Sequence, residues 1–272
     1  FGGTELADRL RVAALPAAEL GPIGEHAGFD AGPALGFAMR SGRAPDASRY
    51  THVATLRVEG ATEGLSRVRL PPSVLAAARE DLADVRIVDA DGAQWPYLRG
   101  ADASDAIPLS VGAPAARESR SLYALGLPVA RASIDGIELW SGAPYVARAF
   151  ELYGLDAAGA RVTLARGRLE RDPNEARPLV IRFAARRVER LELEVVDGSD
   201  APLAFERAEA SLPSPTFSLA APDGDYRVLA GDAQAEPPRY ELEAARELAL
   251  SVQAADAHVG EAGPNAARVE PP

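Results

Sequence analysis

The residues of this sequence whose types and spacing could do chemistry are acidic and aromatic. Asp89-Ala90-Asp91-Gly92 looks like part of a calcium loop. Asp197 with Asp200, and Asp223 with Asp225, repeat the pattern of close carboxylates beside a glycine, and Trp95, Tyr97, Trp140 and Tyr145 put large rings near strand ends. An EF-hand loop needs acidic or amide groups at positions one, three and five, Gly at six and Glu at twelve. With Gly92 at position six, position one is Ile87 and position twelve is Leu98, so the pattern fails. Asp and Gly between apolar runs also bond their own backbone and accept left-handed conformations, which reads all three acidic stretches as turns rather than metal sites.

Other chemistries find no matching spacing. His26, His52 and His258 lie far apart and form no HExxH or similar ligand set, so no metal is expected. No GxSxG elbow, Walker A loop or GxGxxG turn is present, and no catalytic residue or cofactor is expected. Paired carboxylates remain as an alternative, a glycoside hydrolase-like enzyme, because the chain has 40 acidic residues and that reaction needs only two at a suitable separation. The rings support a different reading. Sugar-binding sandwiches stack Trp or Tyr on pyranose faces beside a few polar groups, which makes Trp95, Tyr97, Trp140 and Tyr145 the candidate ligand-binding set, against burial in the core as the plainer role.

The elements that must position these residues read as strands. THVATLRV puts His52, Ala54, Leu56 and Val58 on one face, and LSRVRL turns Ser66, Val68 and Leu70 inward with its arginines outward. Pro72 or Ser73 starts a short helix carrying Val74, Leu75 and Ala78. VRIVD and QWPYL follow as strands, with Asp91-Gly92 reversing the chain between them. From residue 119 come SLYALGL, SIDGIELW, YVARAFELYGL, RVTLARG, PLVIRF, VERLELEVV and LAFERAEASL, each bounded by Gly, Pro, Asp or Asn and with no helical period between them. Such a run predicts an antiparallel sandwich. In VERLELEVV the inward set is Val188, Leu191, Leu193 and Val195. PTFSLAAPDGDYRVLAG holds two more strand signals, a helix is expected from residue 241 through Leu242, Ala245, Leu248, Ala249 and Val252, and the end of the chain reads as a linker.

Composition sets the frame. The 272 residues are 47% hydrophobic and 25% charged, enough for a sizeable core, and Gly 24 with Pro 22 fits many short elements joined by turns. The net charge is −11 and every basic residue is arginine, interleaved with acids along strands, which disfavours a nucleic-acid partner. Cysteine is absent, which removes disulfides and thiol chemistry. No run of 18 or more apolar residues could span a membrane.

The order of motifs resembles a known group. LSRVRLPPSVLAAAREDLADVRIVDADGAQWPYLRG, through Leu70-Pro71, Asp81-Leu82, Asp84, Arg86, Asp91-Gly92 and Pro96-Tyr97, is similar to the opening module of the bacterial domain of unknown function 3999 family. IELWSGAPYVARAFELYGLDAAGARVTLARGRL resembles that family's galactose-binding-like or discoidin-like jelly-roll module, and DYRVLAGDAQAEPPRYEL its later signature, so the likeness covers about residues 50 to 265. It departs at Val162-Thr163, where the family often has a Trp, and at Val188-Glu189-Arg190-Leu191. The resemblance implies an all-β fold of two antiparallel β-sandwich domains with short helices. The expected divisions are an extended arm over 1–48, a first sandwich over 49–112, a jelly roll over 113–240 and a C-terminal helix and linker tail over 241–272. It also implies a periplasmic or extracellular setting with a membrane anchor outside this chain. The expected function is a non-enzymatic binding or assembly module, with a glycan or an envelope protein as its partner.

Overall fold

The computed structural model describes residues 35–156, 158–173 and 175–269. All belong to the compact unit running from Gly32 to Pro272. The first part of the expected N-terminal arm, with His26, lies outside the described residues. The rest of the expected N-terminal arm is not an extended linker. It carries 3-10 turns at Gly36–Ala38 and Ala47–Arg49, and Leu35 and Ala38 are buried against Leu65, Leu98, Ala220, Leu242 and Ala249.

Strands β1 (His52–Val58) and β2 (Leu65–Arg69) lead into helix α1 (Pro72–Ala77), with proline at its first turn as the sequence predicts. Then follow β3 (Arg86–Val88), β4 (Tyr97–Val111), β5 (Ala115–Arg117), β6 (Arg120–Gly126), β7 (Ala132–Ser141), β8 (Val146–Leu155), β9 (Arg161–Arg171), β10 (Leu179–Val188), β11 (Arg190–Val196), β12 (Phe205–Ala220) and β13 (Gly224–Ala230). Helix α2 (Arg246–Ser251), after a 3-10 turn at Glu241–Ala245, precedes β14 (Ala255–Val259) and β15 (Gly263–Pro264). The predicted inward rows hold. Ala54, Leu56 and Val58 are buried on β1, Ser66 and Val68 on β2 with Leu70 just after it, and Leu191, Leu193 and Val195 on β11. Leu65 is buried as well, on the opposite face of β2 under the N-terminal turn.

Two lobes share the long strands β4 and β12. In the first lobe β3, β13 and β1 pair in that order, β14 bridges β1 to β2, and β2 pairs with the C-terminal half of β12. The second lobe is a sandwich. One sheet is β10–β7–β12–β4 and the other is β5–β6–β11–β8–β9, with the end of β4 reaching β6. Ile134, Leu139, Ala208 and Leu212 from the first of these sheets and Tyr123, Leu152, Leu193 and Leu169 from the second meet in one core. That core extends without a break into the first lobe through Leu56, Val68 and Phe217.

Two sequence expectations change here. LAFERAEASL and PTFSLAA are not separate strands but the two halves of β12, which runs through Pro213 and Pro215. The C-terminal segment is not a linker. β14 pairs in parallel with β2 and antiparallel with β1, and β15 pairs with β1. Helix α2 exists, but only Leu242 and Ala249 of its expected apolar row are buried, and Leu248 is exposed. Among the described residues no helix is long and apolar enough to cross a membrane.

Candidate functional site

The acidic turns are structural. Asp89 accepts the Ala93 amide at 2.9 Å through Oδ1 and the Trp95 indole N–H at 2.9 Å through Oδ2, while Gly92 takes φ 84° and donates its N–H to Asp89 O. Asp223 accepts the amides of Gly60 and Ala61, both at 2.9 Å, and these bonds hold its carboxyl below the usual carboxylate range. Asp197 is buried against Arg148 and Ser121. Every one of these carboxylates has a donor from the chain itself, and among the described residues no group of three or more acidic, His or Cys side chains could hold a metal.

The candidate rings do not gather. Tyr97 is buried, its hydroxyl donates to Val85 O at 2.6 Å, and its ring meets Phe217 and Tyr240 edge-on. It cannot stack on a ligand, because both its faces lie in the core. Trp95 is half-buried, edge-on to Tyr226 and tied to Asp89. Trp140 belongs elsewhere. Register on β12 sets Tyr97 opposite Leu219 and Trp140 opposite Arg207. At 3.3 to 3.4 Å per residue, twelve positions of strand put these two points about 40 Å apart. Trp140 stands half-buried on the outer face of the β10–β7–β12–β4 sheet, with the Arg207 guanidinium 4.5 Å from its ring centroid. Tyr145 is 59% exposed on the β7–β8 turn. That turn is pinned by buried Arg171, which donates to Ser141 O at 2.7 Å and to Ala143 O.

Beside Trp140 lies a concave site that spacing alone did not reveal. A cleft of about 460 Å³ on the same sheet face is lined by Asp105, Asp135, Glu138, Arg182, Glu209 and Ser211, with Ser104 at its β4 side. The strands generate it by alternation. Gly136, Glu138 and Trp140 share the outward parity of β7 against buried Ile137 and Leu139, Asp135 lies off that parity and also lines the cleft, and Glu209 and Ser211 stand between buried Ala208, Ala210 and Leu212 on β12. Gly136 opens the floor. It pairs with both Arg182 and Ser211, and a Cβ there would come within 2.8 Å of Arg182 Nη1 and 3.0 Å of Ile181 O.

Glu138 and Glu209 are cross-strand partners, an arrangement that repels unless it is compensated. Arg182 approaches Glu138 at 3.4 Å and Arg207 approaches Glu209 at 3.0 Å, so guanidinium groups flank the pair. Ser104 and Ser211 share a 2.6 Å hydroxyl contact. Asp135 Oδ1 is shielded from solvent and has no hydrogen-bond partner among the described residues. The face therefore offers acceptors at close spacing, an arginine donor and an indole edge, all on rigid strands. The outward residues were visible in SIDGIELW and FERAEAS. What sequence lacked was the long-range pairing that sets those two segments side by side.

No family model matches the sequence, and no curated protein matches it. Solved structures similar to this chain include the family 32 CBM from C. perfringens NanJ in complex with galactose, at 14% identity and TM-score 0.27, covering 62% of this chain and 97% of that one. CpGH89CBM32-5 from Clostridium perfringens, in complex with GalNAc-beta-1,3-galactose, aligns at 12% identity and TM-score 0.25, covering 69% of this chain and 100% of that one. A pectin binding carbohydrate binding module aligns at 15% identity and TM-score 0.25 over 44% of this chain and 73% of that one. Likeness at this level carries no argument about what this chain binds.

Proposed function

We propose that this protein is a non-catalytic binding module for a neutral glycan, seated on the outer face of the β10–β7–β12–β4 sheet. One observation carries the reading: Trp140 adjoins a cleft of about 460 Å³ whose lining groups are hydrogen-bonding side chains on neighbouring strands. Small-ligand sites are concave and combine an apolar surface with a few convergent polar groups. Carboxylates accept hydrogen bonds from adjacent sugar hydroxyls while Arg182 donates to a ring or hydroxyl oxygen. The lining sets Asp105, Asp135, Glu138 and Glu209 against Arg182 alone, so a uronic or sialylated sugar would be repelled. Arg207 covers the Trp140 ring, a contact worth about 0.5–1 kcal/mol at an exposed site, and a sugar stacking there has to displace it.

The Glu138–Glu209 pair also raises the hydrolase alternative. In that chemistry the two carboxyl groups flank the scissile bond. Here both project from adjacent strands off a single face and reach a ligand from the same side, which favours holding over cleavage. The proposed setting, as the motif resemblance implies, is extracytoplasmic and tethered to the cell envelope, and fractionation of producing cells tests it. Binding is tested on a glycan array followed by calorimetry. Neutral saccharides should bind, and Glu209→Gln or Trp140→Ala should weaken binding at least about tenfold, the equivalent of about 1.4 kcal/mol. Release of reducing sugar that is lost in Glu138→Gln would replace the binding reading with the hydrolase one.

A further inference from the structure

A second cleft, separate from the glycan face in its chemistry, has the opposite charge. It has a volume of about 610 Å³ and lies where α1, the loop before β7, the end of β10 and the C-terminal segment meet. Arg79, Arg131, Arg187, Arg268 and His52 line it, and among the described residues no carboxylate does. In a chain of net charge −11, whose arginines mostly pair with acids along strands, this grouping is exceptional.

The arginines divide by role. Arg187 is fixed, donating to Leu75 O at 3.1 Å, Ala76 O at 3.3 Å and Ala78 O, so it caps the last turn of α1. Arg79 is fixed too, through Ala235 O at 2.8 Å and Asp81 at 2.8 Å. Arg131 and Arg268 form no ion pair and no side-chain hydrogen bond among the described residues, and both are exposed. Four carboxylates stand around the cleft, each already engaged: Glu80 at 3.9 Å from Arg187 Nε, Asp81 on Arg79, buried Asp84 on the Arg79 and Gly231 amides, and Glu261 on the Ser73 hydroxyl. Arg187 is held below the ordinary guanidinium range, first by burial, while Glu80 opposes this and the charge of Arg131 adds to it. Arg131 also holds φ 62°, a left-handed conformation that costs a side-chain-bearing residue energy and that glycine adopts freely. The loop therefore keeps an arginine where its backbone favours glycine.

We propose that this cleft binds a phosphate group, with Arg131 and Arg268 supplying the hydrogen bonds, His52 at its wall, and Arg79 and Arg187 supplying fixed positive charge. The group could come as the free ion or as a phosphate ester on a sugar. A guanidinium fork suits tetrahedral oxyanions, and binding relieves the repulsion between neighbouring cations. This proposal does not depend on the glycan reading.

The test titrates inorganic phosphate and, separately, glucose 6-phosphate against the full chain at constant ionic strength, with chloride as the reference, and follows Tm. A saturable rise in Tm with either ligand, its half-saturation raised at least tenfold in Arg131→Gly and in Arg268→Ala, is the expected result. Arg131→Gly relaxes the left-handed backbone, so it removes the ligand contact without harming the fold, and Arg268→Ala gives a second, surface variant. A response to both phosphates no different from chloride, or one equal in wild type and both variants, overturns the proposal.

Discussion

At the scale of single residues, the motif DLADVR is an internal scaffold. Asp84 is buried and accepts the amides of Arg79 at 2.9 Å and Gly231 at 2.6 Å, tying the end of α1 to the end of β13. Arg86, also buried, donates to Ala83 O at 2.8 Å and Val85 O at 2.7 Å, and reaches Glu236 O as well. Asp84→Ala leaves two amides without their acceptor and should cost about 1–3 kcal/mol or more in urea unfolding, whereas an exposed neighbour such as Asp91→Ala should cost under about 0.5 kcal/mol. The tyrosines set an alkaline limit. Burial, reinforced by Asp89 and Asp223, pushes the Tyr226 phenol up to about 12, and burial likewise raises Tyr97 and Tyr240. The folded protein thus keeps protons that the unfolded chain releases near pH 10. That stability is complete below about pH 10 and is lost as pH climbs from about 10 towards 12. Tyrosinate absorbance should therefore rise together with loss of structure, and a native spectrum with these three phenols ionised at pH 10 would contradict it. The turn role of Asp89 could be read from Asp and Gly between apolar runs. The burial of Tyr97 could not, because Pro96-Tyr97 has the same spacing whether its ring faces core or solvent.

At the scale of elements, β12 explains both what sequence reading found and what it missed. Its N-terminal half pairs with β7 as far as Ser211, and its C-terminal half pairs with β2 from Thr216. Pro213 and Pro215 fall between these two partners, where the strand is paired only with β4 and a missing N–H on the open side costs nothing. Proline in a strand ordinarily marks its end, so the sequence divides this strand in two. The alternation in β11 was readable because its apolar and acidic residues follow strict parity. The short AADAHV of β14 shows no such contrast, and its role depends on β1 and β2, some two hundred residues earlier. Truncation after Ala254 removes β14, which joins β1 to β2, and β15, which pairs with β1. The truncated chain should unfold at a markedly lower urea concentration than the full chain, and equal midpoints would restore the linker reading. Gly136→Val places side-chain atoms against Arg182 and the Ile181 carbonyl, so it should lower stability by about 1–3 kcal/mol and abolish saccharide binding together.

At the scale of the molecule, two lobes share one core and two continuous strands, so they should unfold together. Each lobe has one tryptophan, Trp95 or Trp140, and the chain has 2 in all. Trp95→Phe and Trp140→Phe variants therefore report one lobe each, and coincident fluorescence midpoints in urea are expected, where separated midpoints would show independent domains. The β-rich architecture was legible from turn residues and alternation. Of the face now proposed, the sequence pointed only to Trp140, because the carboxylates and serines around the cleft come from segments that meet through sheet pairing alone. In the proposed function a neutral saccharide occupies this face. Amide and indole chemical shifts, followed while the best array saccharide is titrated in, test it directly. Saturable shifts are expected at Glu138, the Trp140 indole, Glu209 and Ser211, with the Trp95 indole unmoved. Shifts confined to the first lobe, or none at Trp140 and its cleft, would contradict it.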